Sequence, residues 1–323
     1  MKLQNFQKKD LGIRKKFIEY RRKKDVRNLR RLNLSWQIGV FGVEELEKSV
    51  ARIAKNNISY VELKADRYTR DIGKDSKEIL KVLEYYGVKA SGVCGIETPE
   101  SEFASNSPFV RQRCIDYFRR SIDLCKGVGG TYMLFIPGAV GRPIKYDNNE
   151  FLRAAEAVNT VGDYFLENGV RGAIEPVRPE EVSFCHTLAE AKEFIDAVDH
   201  PGIKNIGGDV FHMVTGEEHI SSSILKYGSM IIDLHIADTN RRALGSGFLD
   251  LDLILMALFM SGYNSENCYL TPEPLGTGGD PYSALYSTYD TRVLDELVKD
   301  SASYFYERQE EILNASDSEI IDA

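Results

Sequence analysis

Four residues in this chain have types and surroundings suited to chemistry. Glu175, Asp209, His235 and Glu273 occur in Ala-Ile-Glu-Pro, Gly-Gly-Asp-Val, Asp-Leu-His-Ile and Thr-Pro-Glu-Pro, each at the end of a short apolar run. If those runs are parallel strands of one sheet, the four side chains emerge on the same face. Three carboxylates gathered there would repel one another, and a divalent cation removes that penalty. The set offers three oxygens and one imidazole, with no cysteine. It therefore suits Mn²⁺ first, with Mg²⁺ or Co²⁺ as alternatives, better than a structural zinc site. Taken singly, each residue has an ordinary reading as a salt-bridged acid or a capping histidine, and it is the coincidence of four strand ends that argues for a metal centre.

Other polar residues flank these positions. His212 lies three residues beyond Asp209, Arg241 six beyond His235, and Glu181 six beyond Glu175. They are candidates for substrate contact, with a satisfied core histidine, an exposed loop charge and a solvated acid as the respective alternatives. Trp36, with Phe41, could wall a sugar ring near the first strand end or simply pack in the core; His186 and Glu62 are weaker candidates.

The elements that must position these residues alternate regularly. Strands are expected at Leu32–Ile38, Tyr60–Leu63, Lys89–Gly95, Gly130–Phe135, Arg171–Ile174, Lys204–Gly208, Met230–Leu234 and Cys268–Thr271. Between them lie amphipathic helical stretches at Val43–Lys55, Ser76–Tyr86, a helix opening at Ser107-Pro108, a stripe from Phe151 to Phe165, a helix from Thr187 to Val198 opened by a Thr187/Glu190 capping box, Ser221–Tyr227 and Asp252–Ser261. A final helix spans Thr291–Leu313. Eight strands separated by helices predict a single α/β (β/α)8 barrel, whose strands deliver their C-terminal ends to one catalytic face. A doubly wound open sheet is the runner-up, but no Gly-rich nucleotide fingerprint follows the first strand. The division expected is a basic N-terminal arm over 1–31, a barrel over 32–313 and a flexible polar tail over 314–323.

Composition narrows the partners. The 323 residues are 43% hydrophobic and 28% charged, ordinary for a globular protein. The net charge of −8 divides into +10 over residues 1–31 and −18 over the rest. The arm could bind nucleic acid or an acidic partner; the plainer reading is a solvated helix lying on an acidic barrel. An acidic body argues against a nucleic-acid substrate. No apolar run of membrane-spanning length appears, nor a hydrophobic leader, so a cytoplasmic protein without membrane association is expected. The five cysteines, Cys94, Cys114, Cys125, Cys185 and Cys268, form no CxxC pair and read as reduced thiols, with Cys94 and Cys268 in the core.

At Asp209-Val-Phe-His212-Met213, His235 through Asn240-Arg241, Gly245-Ser-Gly247, Ser261-Gly-Tyr263 and Pro272-Glu273-Pro274 the sequence resembles the xylose-isomerase-like barrel superfamily, and within it the ketose 3-epimerases that act on tagatose and psicose. The resemblance runs from about Leu32 to Glu273. It implies that Glu175 and Glu273 both hold the metal and exchange protons with substrate, that Asp209 and His235 complete the ligand set, and that Glu181, His212 and Arg241 contact the sugar. It further implies a small-molecule sugar or glycoside as substrate and a homo-oligomer. The chain departs from the family after Glu175, where Pro176-Val-Arg-Pro-Glu-Glu181 replaces a segment like Val-Val-Asn-Arg-Phe-Glu, in the Gly276–Tyr286 segment, and in the arm before Arg31.

The chemistry expected is removal of a proton next to a ketone. A cation bound to the ketone and a neighbouring hydroxyl stabilises the enediolate, one glutamate acts as base, and the other returns a proton on the opposite face. Loss of a β-substituent from the same enediolate would make the protein a lyase, an inosose dehydratase or a 3-oxo-glycoside- or C-glycoside-cleaving enzyme, some of which work with a small partner subunit. A non-catalytic sugar-binding subunit is a further reading. An apurinic endonuclease shares the barrel but uses a histidine-rich zinc cluster, whereas this chain has five histidines in all.

Overall fold

In the computed structural model, which describes Lys2 and residues 4–65, 76–276 and 281–322, the strands are β1 (Asn33–Leu34), β2 (Tyr60–Lys64), β3 (Lys89–Gly95), β4 (Tyr132–Phe135), β5 (Arg171–Ile174), β6 (Ile203–Asp209), β7 (Ile231–Ile236) and β8 (Tyr269–Pro272). They pair in parallel in the order β1-β8-β7-β6-β5-β4-β3-β2. A parallel bridge between Gln37 and Glu62 draws the first and last members of that order together, giving the (β/α)8 barrel. Helices cover the outside, burying side chains such as Val158, Val161 and Phe165 of the helix Glu150–Asn168 against it.

Local chemistry explains several boundaries. Pro108 starts the helix Pro108–Gly127, where its fixed φ suits the first turn and its missing N–H costs nothing. Thr187 caps the helix Leu188–Val198 by accepting from the Glu190 amide at 3.2 Å. The reciprocal bond of the expected capping box is displaced by one residue: the Glu190 carboxylate accepts from the His186 amide at 2.6 Å instead.

Other expectations are corrected. The strand expected at Leu32–Ile38 is regular only over Asn33–Leu34, although the Ser35 and Gln37 amides still donate to the Leu270 and Pro272 carbonyls; at Ile38 the chain turns into a 3-10 helix, Ile38–Phe41, capped by the Gln37 side chain. The helix expected at Val43 begins at Leu46. Cys94 is buried but Cys268 is only partly so, and all five cysteines are free. Residues 314–323, read as a flexible tail, carry the helix Asp317–Asp322, in which Ile320 is 2% exposed. The basic segment forms the helix Asn5–Lys23, packed against the helices Leu251–Met260 and Asp317–Asp322 through buried Ile13, Phe17 and Ile18. Arg14 ties this corner together, bonding to Asp250 at 2.9 Å and to the Ile320 carbonyl at 3.2 Å. Of the Gly276–Tyr286 departure, residues 277–280 lie outside the described residues. Among the described residues, no helix is long and apolar enough to cross a membrane.

Candidate active site

The strand ends bring the predicted residues together. Glu175 directly follows β5, Asp209 ends β6, His235 is the penultimate residue of β7, and Glu273 directly follows β8. Asp209 is in register with His235, and His235 with Thr271, two residues before Glu273. His235 Nδ1 lies 3.7 Å from Glu273 Oε2 and 4.0 Å from Glu175 Oε1. Asp209, His235 and Glu273 each offer a ligand atom within 4.8 Å of the others, as do Glu175, Asp209 and His212.

Electrostatics make this a strained cluster in the absence of a cation. Burial pushes the Glu175 carboxyl well above the ordinary range, and the Asp209 and Glu273 charges add to it against the pull of His235. Burial also raises Glu273, with His235 and Arg241 limiting the rise. At Asp209 burial acts in the same sense, but His212 and Arg241 outweigh it and hold the carboxyl low. Burial alone would depress His235; the Glu62 and Glu273 carboxylates reverse this and lift it well above its usual value. His212 is driven down to about 4 by burial and so is neutral at pH 7.

Two buried atoms in this cluster could receive a cation. Asp209 Oδ1 accepts from the Phe211 amide at 2.8 Å, capping the next helix, while its Oδ2 has no hydrogen bond; His235 Nδ1 also lacks one. Two ligands each roughly 2.0–2.2 Å from one ion are about 3–4 Å apart, the spacing found around His235 Nδ1. Asp209, His235 and Glu273, with Glu175 reaching Asp209 from beside them, could hold a divalent ion.

Of the flanking candidates, His212 and Arg241 reach the cluster directly. His212 Nε2 lies 3.3 Å from Asp209 Oδ2. Arg241 is 2% exposed, with Nη2 3.3 Å from Glu273 Oε2 and 4.0 Å from Asp209 Oδ2. Its guanidinium lies 4.3 Å over the Phe211 ring, and Arg178 lies 4.9 Å over the same ring. Glu181 is paired with Arg178 at 2.6 Å, and burial raises its pKa although Arg178 and Arg241 oppose this. Trp36 is fully buried and stacks on Phe41, with rings 5.9 Å apart and nearly parallel. His186 bonds the Val177 carbonyl through Nδ1 at 2.8 Å and so braces the segment after Glu175.

Sequence reasoning missed one supporting acid and undervalued another. Asp238 organises the loop carrying Arg241: its carboxylate accepts from the amides of Thr239, Gly245 and Leu249 at 2.7, 2.9 and 3.1 Å. This explains the Gly245-Ser-Gly247 signature, since Gly245 adopts φ +83° and a Cβ on Gly247 would collide with the Asp238 carboxylate. Glu62, a weaker candidate from the sequence, is wholly buried within the barrel and accepts from His235 Nε2 at 2.8 Å and Tyr132 Oη at 2.9 Å. The available signal was its place between Val61 and Leu63, an acid inside an apolar strand, which demands a buried partner.

The model of the xylose isomerase-like TIM barrel family matches residues 50–281. The chain belongs to this family. Among curated relatives, it is 24% identical to the L-ribulose 3-epimerase of Methylomonas sp. (strain DH-1) over 235 residues, 71% of this chain and 79% of that protein. It is 24% identical to the ketose 3-epimerase of Arthrobacter globiformis over 229 residues, 70% of this chain and 77% of that one. The crystal structure of D-allulose 3-epimerase from Methylomonas sp. superposes with a TM-score of 0.76 at 20% identity, covering 86% of this chain and 98% of that chain. For a xylose isomerase-like barrel, the buried carboxylates and the histidine lie where the fold places its chemistry, at the C-terminal ends of the strands.

Proposed function

We propose that this protein is a divalent-metal-dependent sugar epimerase of the ketose 3-epimerase type, removing and returning a proton next to a carbonyl. The observation that carries the reading is the buried meeting of Glu175 and Glu273 beside the unbonded Nδ1 of His235 and Oδ2 of Asp209. Its curated relatives support the epimerase class, and a free sugar or glycoside is the favoured substrate. Held by Glu175, Asp209, His235 and Glu273, a divalent ion, Mn²⁺ foremost with Mg²⁺ or Co²⁺ as alternatives, would stabilise the negative charge developing on the ketone oxygen.

The side chains then divide the work. One of Glu175 and Glu273 takes the proton from the carbon next to the carbonyl; the other delivers a proton to the opposite face, inverting that centre. Arg241, 3.3 Å from Glu273, favours the ionised form of that carboxylate and orients it. Neutral His212 can donate to or accept from a sugar hydroxyl, and Glu181, ion-paired with Arg178, is a further candidate acceptor. If the substrate carries a leaving group β to the carbonyl, the same proton removal ends in elimination.

The test is incubation of Mn²⁺-loaded protein with a panel of ketoses, inososes and 3-oxo-glycosides in D₂O. The expected result is interconversion of a ketose pair with deuterium entering next to the carbonyl. Glu175→Gln and Glu273→Gln should each lower turnover by roughly 10²-fold or more with metal still bound. Full activity in both metal-loaded variants would refute the two-glutamate mechanism.

A further inference from the structure

Beneath the site lies a buried polar layer that the proposed chemistry does not use. TIM-barrel interiors are filled mostly by branched apolar side chains. Here the interior carries Glu62 on β2, Tyr132 on β4, Asp233 on β7 and Thr271 on β8, all wholly buried. A buried carboxylate costs several kcal/mol unless it is paired, and an apolar residue would fill the space at least as stably. The layer therefore needs a reason other than packing.

Its geometry supplies one. Glu62 reaches across from β2 to accept from His235 Nε2 at 2.8 Å, and its other oxygen accepts from Tyr132 Oη at 2.9 Å. Tyr132 in turn touches Ser91 at 3.4 Å, and Ser91 bonds Ser35 at 2.9 Å. Asp233 Oδ2 lies 3.3 Å from the same His235 nitrogen, while its Oδ1 accepts from Thr271 Oγ1 at 2.6 Å; Glu62, at 2.8 Å, is the nearer partner. The imidazole has one nitrogen pointing down into this layer and the other, Nδ1, pointing up between Glu175 and Glu273 without a hydrogen bond. A histidine that binds a metal through one nitrogen must carry its proton on the other, and a carboxylate accepting that proton fixes both tautomer and ring orientation.

We propose that Glu62, braced by Tyr132, is a positioning residue that locks His235 with its proton on Nε2 and its Nδ1 lone pair presented to a divalent cation. This rests on the reading of His235 as a metal ligand.

Mn²⁺ binding to the full chain, followed by the electron paramagnetic resonance of free Mn²⁺, tests it. Glu62→Gln keeps the shape and loses the charge, and is expected to weaken Mn²⁺ binding by about 10- to 100-fold, the usual range for such partners. Tyr132→Phe leaves the carboxylate but releases its brace, and is expected to give a smaller loss in the same direction; it serves as the probe should the first variant fail to fold. Ring-nitrogen shifts of His235 in Mg²⁺-loaded protein give the readout that loosened packing would not move: one Nε2-protonated tautomer in the wild type and a mixture in Glu62→Gln. Unchanged Mn²⁺ affinity with an unchanged tautomer in a folded Glu62→Gln protein would overturn the proposal. Failure of the underlying site reading is distinguishable, since wild-type protein would then bind no Mn²⁺, or His235→Ala would bind it as tightly as wild type.

Discussion

Arg241→Ala is a perturbation whose consequences can be worked out before any substrate is known. The side chain is 2% exposed, 3.3 Å from Glu273 and 4.0 Å from Asp209, with its guanidinium over Phe211. Without metal, removing it leaves buried carboxylates short of a counter-charge, a loss of about 3–5 kcal/mol. With Mn²⁺ bound, the ion supplies positive charge to the same carboxylates, and only the ring contact and packing are lost, about 1–2 kcal/mol. By linkage the difference, about 2–3 kcal/mol, must reappear as tighter Mn²⁺ binding, roughly 30- to 150-fold at ~1.4 kcal/mol per tenfold. Urea unfolding followed by circular dichroism, in EDTA and in saturating Mn²⁺, measures the two stabilities, and titration calorimetry measures the affinity. Arg241 also has φ +55°, so Arg241→Gly should exceed Arg241→Ala in stability by about 1 kcal/mol in both conditions, separating backbone strain from charge. Equal costs with and without metal, or weaker Mn²⁺ binding in Arg241→Ala, would refute the reasoning.

Two further predictions concern stability. Burial pushes the Glu97 carboxyl well above its ordinary value of 4.5, so the folded chain keeps a proton there that the unfolded chain releases. The stability contributed is full below the unfolded value and is lost as pH rises; Glu97→Gln should therefore gain stability over wild type progressively as pH rises above the unfolded value, read as Tm, and a pH-independent difference would count against it. Ile320→Ala should cost about 2 kcal/mol or more in urea unfolding, because Ile320 is buried under the helix Asn5–Lys23; no loss would mean the C-terminal helix contributes nothing to the folded body.

The ligand candidates were legible because they obey local rules. Glu175, Asp209, His235 and Glu273 each end a short apolar run, and in a parallel barrel a strand end is also a place in space. Strands such as Lys89–Gly95 and Arg171–Ile174, and the helix Ser76–Tyr86, follow the same logic, since hydrophobic period and flanking turns are properties of neighbouring residues. Helix ends marked by a proline or a capping threonine, at Pro108 and Thr187, were readable for the same reason.

Tertiary structure alone decided what depends on residues far apart in the chain. Glu62 and His235 are separated by 173 positions, and no spacing rule links them; only barrel closure sets the carboxylate beneath the imidazole. The polar tail looked frayed because its apolar pair, Ile320 and Ile321, packs on the core only in the folded body, with the N-terminal helix docked against it. The turn at Ile38 was not announced by its apolar neighbours, because the cap that starts it is the Gln37 side chain. Local pattern carries the strands and their chemistry-bearing ends; burial and pairing of charges are long-range, and they decide which acids hold the others in place.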